Sequence, residues 1–113
     1  MTVAKVLVVG AAGQTGKHIL KALMQDKEAK WSVQAGIFAQ EKEEQERSLS
    51  KFEGLETVVL DWSDQEKLVE RMRDVEEVVL VPPPNAYKML IMQHCIKAAQ
   101  KARVKFVCMV SMY

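Results

Sequence analysis

Short apolar runs alternate along this chain with longer stretches in which apolar positions recur every three or four residues. The short runs predict strands at about 3–9, 33–38, 56–60, 77–81 and 105–110, and the longer stretches predict helices between them. The strand segments are apolar at consecutive positions rather than alternating, as expected of a parallel sheet covered on both faces. Right-handed crossovers then restrict the topology to a few doubly wound arrangements. In the first helix Ile19, Leu20, Leu23 and Met24 share a stripe, with Lys17, Lys21 and Gln25 away from it. Ser63-Asp64-Gln65-Glu66 reads as a capping box for the third helix, whose apolar face is Leu68, Val69 and Met72. On that reading, loss of the Ser63 hydroxyl costs about 1 kcal/mol. A fourth helix over 86–102 follows Pro82-Pro83-Pro84-Asn85, with Asn85 as N-cap. QEKEEQER at residues 40–47 shows no apolar face and predicts a solvated helix or loop on the rim.

One junction carries chemistry. Val6-Leu7-Val8-Val9 runs straight into Gly10-Ala11-Ala12-Gly13-Gln14-Thr15-Gly16, and the amphipathic stretch from Lys17 to Gln25 follows. Glycines at this spacing allow a sharp turn, close approach of a pyrophosphate to the backbone, and tight packing of helix on strand. The first-turn N–H groups have no intrahelical acceptor, and they form an anion site for the phosphates. The junction therefore predicts a Rossmann-like dinucleotide site, with strand order 3-2-1-4-5 and helices on both faces. A flavodoxin-like 2-1-3-4-5 order is the alternative.

Around this junction the chain resembles the NmrA-like branch of the atypical short-chain dehydrogenase/reductases, whose opening reads much like VLVVGAAGQTG at residues 6–16. VQAGIF at 33–38 resembles that family's second strand. VVLDWSD at 58–64 is similar to its third strand with the D-x-x-D turn, and VVLVPPP at 78–84 to its fourth. IKAAQKARVKFVCMVS at 96–111 is similar to the ending through the fifth strand. The resemblance implies an NAD(P)-binding fold, used by some members to reduce small carbonyls or quinones and by others only to sense the cofactor. It also implies that residues 1–113 are a truncated dinucleotide-binding domain without the substrate lobe. Members that catalyse use a Tyr-x-x-x-Lys pair, and none occurs here: Tyr87 is followed four residues on by Ile91.

The phosphates should be lined by the backbone of Ala11, Ala12, Gly13 and Gly16 beside Gly10, with Gln14 and Thr15 as added donors. The resemblance assigns adenine contacts to Asp61 and Trp62; packing against the third helix is the alternative for Trp62. Many relatives have an arginine for the NADP 2′-phosphate at the end of the second strand, where this chain has Phe38. Glu41 and Lys42 are the nearby charges, so NAD versus NADP stays open. Val81, Pro82 and Pro83 reach the carboxyl edge of the sheet, where open α/β folds place ligands, and form a floor for the nicotinamide ribose. The resemblance puts Ser111 near the nicotinamide as a weak catalytic candidate without a partner base. His18 and His94 read as ordinary helical residues, and Met89, Met92, Met109 and Met112 as core filler. Arg103 stands where the family has glycine, so a left-handed backbone there costs about 1 kcal/mol.

Composition narrows the rest. A chain of 113 residues makes one domain. Its 16 basic and 15 acidic side chains leave a net charge of +1, with no field to draw nucleic acid or a membrane surface. The apolar runs are strand-sized and no secretory leader opens the chain, which makes a cytoplasmic protein the expectation. Cys95 and Cys108 read as reduced core thiols, and no metal-ligand spacing is present. Three functions follow: an oxidoreductase domain, a dinucleotide-sensing module without turnover, or a short form inactive by itself. The apolar fifth strand, 105–110, is expected to self-associate as an unprotected edge.

Overall fold

The computed structural model describes residues 4–25, 31–82 and 87–110. Strands β1 (Ala4–Val9), β2 (Trp31–Phe38), β3 (Glu56–Leu60), β4 (Glu77–Leu80) and β5 (Phe106–Met109) pair in parallel in the order β3-β2-β1-β4-β5. Helices α1 (Gln14–Gln25), α2 (Lys42–Leu49), α3 (Gln65–Met72) and α4 (Lys88–Lys101) make the crossovers, and a 3-10 turn, Ala39–Glu41, leads into α2. This is the Rossmann-like order, and the flavodoxin-like alternative is excluded by the β1–β4 pairing.

Strand alternation splits the core in two. Leu7, Val9, Phe38, Leu60, Val78 and Leu80 face α3 and α4, where they meet Leu68, Met72, Ile91 and Cys95. Val6, Val8, Ala35, Ile37, Val79 and Val81 face the other way, against Leu20 of α1 and Leu49 of α2. Each buried leucine or isoleucine contributes about 1.5–3 kcal/mol relative to exposure. Burial also pushes the Cys95 thiol up to about 12, which keeps it protonated and inert.

Several local expectations are corrected. The cap of α3 is Asp64, whose side chain accepts from Lys67 N–H, while the Ser63 hydroxyl is turned to Asp61 instead. The 40–47 run is not fully solvated: Gln45 and Leu49 of α2 are buried against the sheet. Helix α4 begins at Lys88 with Tyr87 as N-cap and no side-chain cap bond; Asn85 lies outside the described residues. Cys108 is exposed rather than buried, as are Met89 and Met109, while Met92 is core; Met112 lies outside the described residues. The cause at β5 is its place at the edge of the sheet, where Phe106 is 60% and Met109 53% exposed. Arg103 has φ 60 and ends α4: Val104 N–H donates to Ala99 and Arg103 N–H to Gln100, the Schellman pattern that favours glycine.

Candidate dinucleotide site

The turn after β1 shows why glycine stands at each of three positions. Gly10 has φ +82, and a Cβ there would lie 2.2 Å from the Val81 carbonyl oxygen, so both backbone conformation and space demand glycine. Gly16 is buried, and a Cβ on it would meet the Gly10 carbonyl oxygen at 2.3 Å and the Ala11 Cα at 2.7 Å. The tight packing expected of the third glycine is therefore against the turn itself, not against a strand. Gly13 differs from both: its nearest neighbour to an added Cβ is the Gly10 carbonyl oxygen at 3.8 Å, which leaves open space beside an exposed backbone.

Lys17 N–H donates to the Gly13 carbonyl at 2.9 Å, which makes Gly13 the N-cap of α1 and Gln14, Thr15 and Gly16 its first turn. Their N–H groups have no intrahelical acceptor, and the positive end of the helix dipole lies among them. No acidic side chain occupies that turn to compete for an anion. Ala11 is fully buried, and the Ala12 carbonyl accepts from the Ser48 hydroxyl of α2 at 2.9 Å, which ties the turn to the neighbouring crossover. Donors without intrahelical partners, a gap that a side chain at residue 13 would fill, and a first turn free of carboxylates together fit a pyrophosphate.

The ends of β2 and β3 form the next wall. Phe38 is buried with its ring in the α3/α4 core, and its N–H donates to Gln45 Oε1 at 2.8 Å. Gln45 Nε2 in turn donates to Glu41 Oε2 at 2.8 Å. Asp61 Oδ1 collects three donors: the Ser63 hydroxyl at 2.5 Å, Ser63 N–H at 3.0 Å and Gln40 Nε2 at 3.0 Å. The Ser63 bonds foremost, then Gln40, hold the Asp61 carboxyl below its ordinary range, against a smaller opposing effect of desolvation. Trp62 is half-buried and stacks on Tyr87 at 6.3 Å between ring centroids, with the His94 ring edge-on at 6.0 Å. Gln65 Nε2 adds a 3.0 Å bond to the His94 carbonyl. Trp62 thus joins the start of α3 to α4, its ring partners coming from the α4 end rather than from α3.

At the β4 end Val81 is buried, with its N–H on the Val9 carbonyl at 2.9 Å, and Pro82 is half-buried beside it. Pro82, Met89, Met92, Ile96, Met109 and Val110 line a largely apolar cavity of about 290 Å³ between α4 and β5. Pro83 and Ser111 lie outside the described residues. The carboxyl edge therefore brings together Gly10, Gly13, Phe38, Asp61 and Val81, the ends of four adjacent strands. Sequence reasoning missed Gln40, Gln45 and Ser48. The last two belong to the inward side of α2, and the spacing of Gln45, three residues before Ser48 and four before Leu49, was the available signal.

The NAD(P)H-binding family model matches residues 10–113. The chain belongs to this family. Membership makes the ligand a nicotinamide dinucleotide. A comparison with curated proteins returns no match. Among solved structures, the NADPH-dependent quinone oxidoreductase of Escherichia coli complexed with NADPH is similar at TM-score 0.78 and 23% identity, over 95% of this chain and 36% of that one. Triphenylmethane reductase of Citrobacter sp. complexed with NADP(H) gives 0.72 and 24%, over 93% and 36%. A short-chain dehydrogenase/reductase of Veillonella parvula in complex with NADP gives 0.69 and 18%, over 98% and 48%. These likenesses establish the fold, and the chain spans less than half the length of each of these proteins.

Proposed function

We propose that this chain is the cofactor-binding domain of an NmrA-like oxidoreductase that moves a hydride between nicotinamide and a small carbonyl or quinone. The observation that carries the reading is the open cradle at Gly13, between two glycines that the backbone itself requires. Bound dinucleotide would supply the hydride chemistry. This chain's own part is to hold the phosphates on the first turn of α1 and to present Val81 and Pro82 to the nicotinamide end. The apolar cavity beside Pro82 suits a substrate with a flat apolar body rather than a charged one. The proton donor and the outer wall of the substrate site come, on this reading, from a lobe outside residues 1–113. On this reading the protein works in the cytoplasm, where Cys95 and the exposed Cys108 would stay reduced. The exposed apolar residues of β5 are read as a self-association edge, and Met109→Lys lowers the apparent mass by light scattering if copies pair there.

A sensing module without turnover is the second reading. It is favoured by the nicotinamide end, where Lys88 is the one charged side chain around the apolar cavity among the described residues. Titration of the purified chain with NADH and NADPH, followed by nicotinamide fluorescence, tests the shared core of both readings. Saturable binding is expected, without quinone or aldehyde reduction by this chain alone. Absence of binding to either dinucleotide by a folded chain overturns both. Steady reduction by a longer chain that carries this domain selects the enzyme.

A further inference from the structure

From the carboxyl end of β2 we infer that this domain selects NAD(H) over NADP(H), with Glu41 as the specificity-determining residue. The inference rests on the dinucleotide reading above and adds the choice at the ribose. Dinucleotide folds read the adenosine ribose near this point, using a carboxylate for a 2′-hydroxyl or a guanidinium for a 2′-phosphate. Phe38, the last residue of β2, fills its place with a ring buried in the α3/α4 core, and Ala39 after it offers no charge. The first fixed polar groups beyond it are Gln40 and Glu41, and both belong to arrangements built around carboxylates. The Gln40 amide is committed to Asp61, a carboxylate held in its ionised form. Glu41 is held through Oε2 by Gln45, itself only 9% exposed and anchored to the Phe38 N–H. Its Oε1 is left as an acceptor for a ribose hydroxyl.

The α2 terminus points the same way. A helix N-terminus would ordinarily attract a phosphate. Here the N-cap is Glu41 and the first turn carries Glu43 and Glu44, so the helix field is already complemented by the chain's own carboxylates. Around the cavity at this terminus, Glu41, Glu43 and Glu44 outnumber Lys42 and Arg47. A 2′-phosphate carries roughly −1.5 to −2 charge at pH 7. It would enter a region of net negative charge in which the carboxylates of Asp61 and Glu41 are fixed by hydrogen bonds; Glu41, Lys42 and Arg47 are all exposed.

The test is binding, not turnover: calorimetric titration with NADH, NADPH, ADP-ribose and 2′-phospho-ADP-ribose at physiological salt, with circular dichroism to confirm that each variant is folded. The wild-type chain should bind NADH at least about tenfold more tightly than NADPH, with the same order for the two ADP-ribose probes. Glu41→Gln should shrink that ratio several-fold, and Ala39→Arg, at an exposed position, should raise NADPH affinity. Equal or tighter binding of NADPH by the wild-type chain overturns the inference and leaves dinucleotide binding standing. An unchanged ratio in a folded Glu41→Gln chain overturns the assignment to Glu41. Failure to bind any of the four ligands overturns the underlying dinucleotide reading as well.

Discussion

The proposed phosphate end and adenosine end of the cradle are built from different parts of the chain. At the β1–α1 turn the donors are backbone N–H groups, and side chains matter mainly by being absent from Gly10, Gly13 and Gly16. At the β2 and β3 ends side chains set the arrangement instead: Gln45 holds the Phe38 N–H and the Glu41 carboxylate, and Gln40 and Ser63 hold the Asp61 carboxylate. The first arrangement is general and suits any dinucleotide, because a pyrophosphate needs only N–H groups and room. The second is particular to this chain, and it is where a choice between cofactors would be made.

The contrast breaks first at the glycines. Gly10→Val places a side chain on a left-handed backbone against the Val81 carbonyl, and should destabilise the domain by on the order of 3 kcal/mol or more in a urea titration. Gly13→Val should leave the unfolding midpoint within about 1 kcal/mol of wild type, because the space is open. The same variant should lose dinucleotide affinity by at least about 100-fold, roughly 2.7 kcal/mol. A Gly13→Val chain that binds as well as wild type would remove the cradle from the account.

At the side-chain end the effects are smaller and separable. Asp64→Ala should cost about 1 kcal/mol through the lost α3 cap, whereas Ser63→Ala should cost less and act on Asp61 instead. Thermal melts of the two variants side by side check the order, and equal losses would return the cap to Ser63. Smallest is a pH effect. The folded-state pKa of Asp61 lies below the ordinary 3.8, so its contribution is present in full above that value. It is lost as pH falls through the folded-state pKa. Asp61→Asn should therefore flatten the acid limb of stability, measured as unfolding midpoints below pH 4. An identical acid limb in both proteins would show that the three hydrogen bonds do not favour the ionised form.

The two cysteines extend the comparison from site to sheet. Cys95 sits in the α3/α4 core and Cys108 on the exposed edge strand, so a thiol reagent should modify one sulfur per native chain and two after unfolding. Rapid native labelling of both would mean that α4 opens readily from the sheet.

Periodicity by itself determined the five strands and their parallel pairing, the glycine motif narrowed the strand order to two, and the family resemblance pointed to the left-handed backbone at Arg103. Those features depend on neighbours a few residues apart, and on a topology that handedness limits to very few choices. Tertiary structure alone decided the rest. Ser63 and Asp64 are both good caps by residue type, and the choice between them followed from Asp61, whose carboxylate takes the Ser63 hydroxyl and leaves Asp64 to α3. Gln45 sits in a run of charges, and only the approach of α2 to the end of β2 turns it inward to an unpaired N–H. Trp62 is drawn to Tyr87 and His94 because α4 crosses beside α3, contacts 25 and 32 residues away in sequence. Cys108 and Met109 have the apolar character of covered strand residues, and their exposure follows from the position of β5 at the sheet edge. Local preference states what a residue can do. Which of two satisfied arrangements it adopts depends on the partner that distant chain brings to it, because a buried polar group without a partner costs more than any propensity returns.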